Sequence, residues 1–205
     1  MGSETVSSGE IGSQSWSAAP WLPWSQLNLI MLTNTLLLPL SQAIDVLTTY
    51  LTDSPIAPLN KEFVEIPEPY CTSLDIYTAH RVKTNELTVY LADVPAEHLE
   101  TIDGLVKKAL KRIGEEGIDM ERMAMVLSRE KRQTLHNLET RADSMVSQAV
   151  IVDLLYGTTD GAELQTSFDT MEHYAVIEKW TAKEWSDYLT KSVHVPAQVI
   201  LFHRH

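Results

Sequence analysis

Two short stretches with a two-residue hydrophobic period constrain this chain more than any other feature. Between Tyr70 and His80, Leu74 and Ile76 alternate with Ser73, Asp75 and Tyr77. Between Glu86 and Ala92, Leu87, Val89 and Leu91 alternate with Thr88 and Tyr90. Successive strand side chains point to opposite faces, so each stretch predicts a strand with one apolar and one polar face. Lys83, Thr84 and Asn85 supply a turn between them, which predicts an antiparallel pair.

The remaining apolar residues recur at helical spacing. Pro39 in a first turn opens a helix with Leu40, Ile44, Leu47 and Leu51 on one face, ending near Asp53 ahead of Pro55 and Pro58. A short helical piece follows over Leu59 to Val64. Asp93 can cap a helix with Pro95 and Glu97 in its first turn and a buried stripe of Leu99, Ile102, Val106, Leu110 and Ile113, stopped by Gly114 and Gly117. Asp119 starts a long charged helix to about Arg141, and Asp143 or Ser144 another, ending at Gly157. Thr181 and Glu184 form a capping box before Trp185, Tyr188 and Leu189, which point inward. With short strands at Leu27 to Leu32 and Gln198 to Phe202, the order is strand, helix, two strands, a block of helices and a strand: an α+β layer fold, an antiparallel sheet backed by helices.

Length and composition narrow the function. The 205 residues, 44% of them hydrophobic, suit one domain, read here as 20–205 behind a flexible leader over 1–19 that is too polar to offset its ordering entropy. Sixteen basic against 28 acidic residues give a formal net charge of -12, a surface that repels nucleic acid and anionic lipid. The most apolar window, Leu27 to Leu40, contains Asn28, Asn34 and Pro39 and falls short of the roughly 20 apolar residues that a membrane span needs. Cys71 stands alone, so the chain forms no internal disulfide and no thiolate zinc cage. A reducing, cytoplasmic location and a buried rather than nucleophilic thiol are expected.

Four segments in order, TYLTDSPIAPLNKEFVEIPEPYCTSLDIY (Thr49–Tyr77), GIDMERM (Gly117–Met123), LETRADSMVSQAVIVDLLYG (Leu138–Gly157) and EKWTAKEW (Glu178–Trp185), make the chain resemble a pitrilysin-type (inverzincin) metallopeptidase. The resemblance runs from about Leu40 to Phe202. It is narrowest to the non-catalytic second domain of large eukaryotic members related to presequence protease. In that family a catalytic domain carries H-x-x-E-H, two histidines for zinc and a glutamate that activates water. The nearest string here is His136, Asn137, Leu138, Glu139, Thr140, with threonine where the second histidine would stand, so His136 and Glu139 are expected on a solvated helix face. No zinc site and no cofactor are expected. His194, His203 and His205 span strand and tail, which suits adventitious rather than designed metal binding, and His98 and His173 are expected to be exposed on polar helical stretches.

Relatives enclose a peptide chamber between half-molecules, so the resemblance implies a sheet with helices on one face and an open opposite face. Ser73, Asp75, Tyr77, Thr88 and Tyr90 share that opposite face by alternation and form the candidate ligand-binding surface. Aspartate beside tyrosines suits an acid–base pair or the orientation of a small ligand. The leading expectation is a stand-alone binding or assembly module, paired with a peptidase-like subunit or with its own copy. The alternatives are a metal-independent cyclase, pericyclase or isomerase of secondary metabolism acting on a small apolar ligand, and a non-catalytic fragment of a larger zinc peptidase. The enzyme reading requires an enclosed apolar pocket, for which Trp21, Trp24 and the Leu27 to Leu38 run are wall material.

Overall fold

A computed structural model describes residues 25–33, 41–80, 85–156, 160, 164, 168–193 and 198–203. In chain order the elements are strand β1 (Ser25–Thr33), helices α1 (Ser41–Thr52) and α2 (Pro58–Phe63), strands β2 (Ser73–His80) and β3 (Asn85–Ala92), a 3₁₀ turn (Ala96–His98), helices α3 (Ile102–Glu116), α4 (Met120–Thr140), α5 (Ala142–Tyr156), α6 (Thr170–Ile177) and α7 (Ala182–Val193), and strand β4 (Gln198–His203). The strands form one sheet in the order β2-β3-β1-β4. Every pairing in it is antiparallel.

Register explains which side of β2 and β3 is buried. Leu74 pairs with Leu91, Ile76 with Val89 and Thr78 with Leu87, so these side chains share the face toward the helices. Leu74, Leu87, Val89 and Leu91 are buried. Helix α1 lies against β2 and contributes Ile44, Leu47 and Leu51 to the same core. The Thr78 hydroxyl donates to Asp45 Oδ1 at 2.7 Å, a polar tie between sheet and helix. Helix α3 adds Ile102, Val106, Leu110 and Ile113, and α7 packs against α3 with Trp185, Tyr188 and Leu189 inward.

Local chemistry sets several element ends. The Asp119 carboxylate accepts from the backbone N–H of Glu121 at 3.0 Å and Arg122 at 3.3 Å, capping α4. At α7 the reciprocal box forms: the Glu184 carboxylate accepts from the Thr181 N–H at 2.7 Å, and the Thr181 hydroxyl accepts from the Glu184 N–H at 3.3 Å.

Other boundaries differ from expectation. Asp93 caps no helix; it takes φ 52° and accepts from the Thr72 hydroxyl at 2.7 Å, closing the end of the β2–β3 pair instead. The chain then makes the 3₁₀ turn before α3 opens at Ile102. Gly114 lies within α3, and the helix runs two residues further to Glu116 before Gly117 ends it with φ 95°. Tyr70 precedes β2, its ring between Phe63 and His98 at centroid distances of 5.7 and 4.8 Å. His98 is therefore half-buried rather than exposed. His173 is buried, with Nδ1 at 3.2 Å from Gln42 Oε1 of α1. The stretch is helical as expected, but helix α6 turns His173 inward together with Tyr174 and Ile177. The leader over 1–19, Trp21, Trp24, Pro39, Leu40, Lys83, Thr84, His194 and His205 lie outside the described residues.

Candidate interaction surface

Away from the helices, β2 and β3 bring the five sequence-selected residues onto one face. Asp75 stands opposite Tyr90, Tyr77 opposite Thr88, and Ser73 opposite Ala92. Tyr77 and Tyr90 are thus diagonal neighbours, within reach of aromatic side chains. Their rings meet edge to face, centroids 6.3 Å apart and planes at 64°. Tyr77 is 57% exposed. Ser73, Asp75, Thr88 and Tyr90 are half-buried, so this part of the face is an open surface with an aromatic centre and a carboxylate beside it.

Electrostatics restrict what Tyr77 does. Partial burial, then the Asp75 charge, then Tyr90 raise the Tyr77 phenol above its ordinary range. A phenol held protonated at neutral pH donates hydrogen bonds and does not abstract protons. Cys71, just ahead of β2, is buried, and burial pushes its thiol up to about 12, which removes it as a nucleophile near neutral pH.

The near-miss zinc string lies on α4, where His136 and Glu139 are exposed. Thr140, in the place of the second histidine, donates its hydroxyl to the His136 carbonyl at 2.7 Å. Among the described residues no group of three or more His, Cys, Asp or Glu side chains is arranged to hold a metal ion. Among them, too, no helix is long and apolar enough to cross a membrane.

Two features escaped the sequence reading. Asp53, at the end of α1, pairs with Arg122 and, at 2.7 Å, with Arg129 Nη1. Arg122 also donates through Nε and Nη2 to the Tyr50 carbonyl at 3.3 and 3.2 Å, and its guanidinium lies 5.5 Å from the Tyr50 ring centre. The seven-residue spacing of Arg122 and Arg129, two helical turns, was the available signal. The second is a set of exposed apolar side chains on the two helices, Leu135 and Leu138 on α4 and Val146, Val150, Ile151 and Leu154 on α5, Leu154 by 82%. The i, i+4, i+8 spacing of Val146, Val150 and Leu154 was legible as one helix face, but which face turned outward was not.

Comparison with known proteins matches this geometry to a class. No protein-family model matches the chain. An uncharacterised protein of Schizosaccharomyces pombe is 33% identical over 150 residues, 73% of this chain and 14% of the yeast protein. One from Saccharomyces cerevisiae is 32% identical over 149 residues, with the same coverage of each. The chain thus spans about one seventh of the length of these relatives. A crystal structure from Bordetella pertussis, described as a zinc protease, superposes with a TM-score of 0.71 at 10% identity, covering 91% of this chain and 96% of that one. The inactive peptidase domain of a zinc protease from Bordetella parapertussis superposes at 0.69, with 9% identity and coverage of 88% and 91%. A chain of complex III2 from Candida albicans superposes at 0.61, with 15% identity and coverage of 88% and 43%. The fold is that of pitrilysin-type (M16) peptidase domains, the inactive ones included.

Proposed function

We propose that the chain is a non-catalytic binding or assembly domain whose β2–β3 face, centred on Tyr77 and Tyr90 and flanked by Ser73, Asp75 and Thr88, is covered by a second protein surface. The observation that carries this reading is a tyrosine pair held on an exposed sheet face, with Tyr77 57% exposed. Tyrosine supplies large, rigid, amphipathic contact area and is enriched where proteins meet. The exposed apolar side chains of α4 and α5 support the same reading, since large apolar residues left in water in such number suit a covered surface. So does the likeness to a domain described as inactive and to a chain of a multisubunit complex. The small-molecule enzyme reading has less support, because the five residues lie on open surface and such ligands are usually enclosed in pockets of several hundred Å³.

Sedimentation velocity over a concentration series, joined to hydrogen exchange, tests the proposal. A 23.1 kDa chain that covers its own face sediments as a concentration-dependent dimer, with β2 and β3 protected in the dimer. Tyr77→Arg returns it to monomer without altering its melting temperature. A monomer at every concentration, with β2 exchanging freely both alone and beside a peptidase-like subunit, overturns the reading.

A further inference from the structure

The helical side of the molecule carries a second surface that the sheet face does not account for. Between the segment after α1 and helix α4 lies an open groove of about 630 Å³. Arg122, Arg129 and Arg132 line it against a single carboxylate, Asp53. Asp53 is already engaged by Arg122 and Arg129. Arg132 is exposed, and its Nε donates only to the Ser128 carbonyl of its own helix, at 3.2 Å. Its guanidinium has no carboxylate partner among the described residues. In a chain of net charge -12, a groove with an excess of cations stands apart from the general surface.

Apolar side chains border the same groove. Ile56 is 73% exposed and Met125 60% exposed, and both are lining residues. The methionine is unbranched and adapts to differently shaped apolar partners. Guanidinium groups take carboxylates with two parallel N–H···O bonds, which gives direction as well as energy. The juxtaposition therefore calls for a carboxylate within a few ångströms of an aliphatic chain.

We propose that this groove binds an extended acidic segment of a partner protein in which glutamate or aspartate alternates with aliphatic residues. Arg132 takes the carboxylate, helped by Nη2 of Arg129, whose Nη1 is held by Asp53 and whose Nε lies 3.8 Å from Glu130, and Ile56 and Met125 take the aliphatic side chain. Charge complementarity calls for an anion in this cationic groove, and the exposed Ile56 and Met125 beside the guanidinium groups favour a segment that carries aliphatic side chains as well as carboxylates over a polyanion that has none.

The test is fluorescence anisotropy of the purified chain with a labelled decapeptide in which glutamate alternates with leucine. Saturable binding is expected, weakened about tenfold or more by Arg132→Glu and by a smaller but measurable factor by Arg132→Lys, which keeps the charge and loses the paired N–H···O geometry. Replacing the peptide's glutamates with glutamine is expected to abolish binding, and salt at about 0.5 M to weaken it severalfold. Met125→Gln lowers affinity about threefold, while Tyr77→Arg, on the sheet face, leaves it unchanged, which separates this proposal from the assembly reading. Absence of saturable binding, equal affinity for the glutamine peptide, or an unaffected Arg132→Glu variant overturns it. An oligonucleotide or anionic vesicle that binds as tightly as the peptide overturns the choice of occupant.

Discussion

At Arg122 a single side chain ties together parts of the molecule distant in sequence. Its side chain is 12% exposed and that of Asp53 10%, so both charges are largely withdrawn from water. The pair tolerates this because the guanidinium also satisfies the Tyr50 carbonyl and lies over the Tyr50 ring. The Tyr50 hydroxyl in turn accepts from the Asp119 N–H at 3.1 Å. Removing one partner of a buried pair strands the other, which costs about 3–5 kcal/mol. Arg122→Ala is expected at the low end of that range, about 3 kcal/mol by urea unfolding, because Arg129 still reaches Asp53. Arg122→Ala joined to Asp53→Ala is expected to recover part of the loss; equal or greater destabilisation by the double change means that Asp53 is not the stranded group. Residues whose roles are local were legible: Asp119 and the Thr181–Glu184 box cap helices through bonds spanning two or three positions. His173 was not, because the side chain it meets, Gln42 of α1, lies 131 positions away.

Among the elements, the break between α3 and α4 shows how the helical layer is punctuated. Gly117 takes φ 95° and ψ 153°, a region that only glycine enters without strain. A Cβ there would meet nothing within 4 Å, so any cost of Gly117→Ala is a backbone cost, expected at about 2 kcal/mol. Gly104, in the first turns of α3, likewise leaves open space where a Cβ would stand but has helical geometry, so Gly104→Ala is expected to stabilise by up to about 1 kcal/mol. Thermal unfolding of the two variants should move in opposite directions, and a shared sign contradicts the backbone argument. The same break explains the limits of reading elements from sequence. Alternation placed β3 to within one residue and the end of β2 at His80, although β2 starts three residues after Tyr70, and the Ile102, Val106, Leu110, Ile113 stripe fixed the face of α3. The start of α3 was misplaced because Asp93, a good cap by type, was taken by Thr72 across the β2–β3 end. A competitor 21 positions away leaves no trace in local pattern. The five candidate surface residues were legible for the opposite reason: once two strands are paired, alternation alone decides who shares a face.

The molecule as a whole buries several groups that must stay neutral, and this makes its stability depend on alkaline pH. Burial is the largest cause in each case: it pushes the Cys71 thiol up to about 12 and raises the Tyr50, Tyr174 and Tyr188 phenols. These groups come from α1, the segment before β2, α6 and α7, so they sample the core from several directions. In the unfolded chain the thiol releases its proton near 9.0 and the phenols near 10.0. Above those values the unfolded state binds fewer protons than the folded state, so stability falls as pH rises. The contribution is present in full below about pH 9 and drains away toward pH 12 as the folded-state groups finally ionise. Tm is therefore expected to be flat between about pH 7 and 8.5 and to fall steadily above about 9. Because the buried phenols ionise only on exposure, the part of the tyrosinate absorbance that comes from Tyr50, Tyr174 and Tyr188 should rise together with unfolding rather than ahead of it. Cys71→Ala removes the first group to contribute, so its Tm should fall less steeply than the parent between about pH 9 and 10 before the two slopes converge. A parent Tm that stays level to about pH 11 means that the buried groups ionise inside the folded core, and water then reaches the layer between helices and sheet.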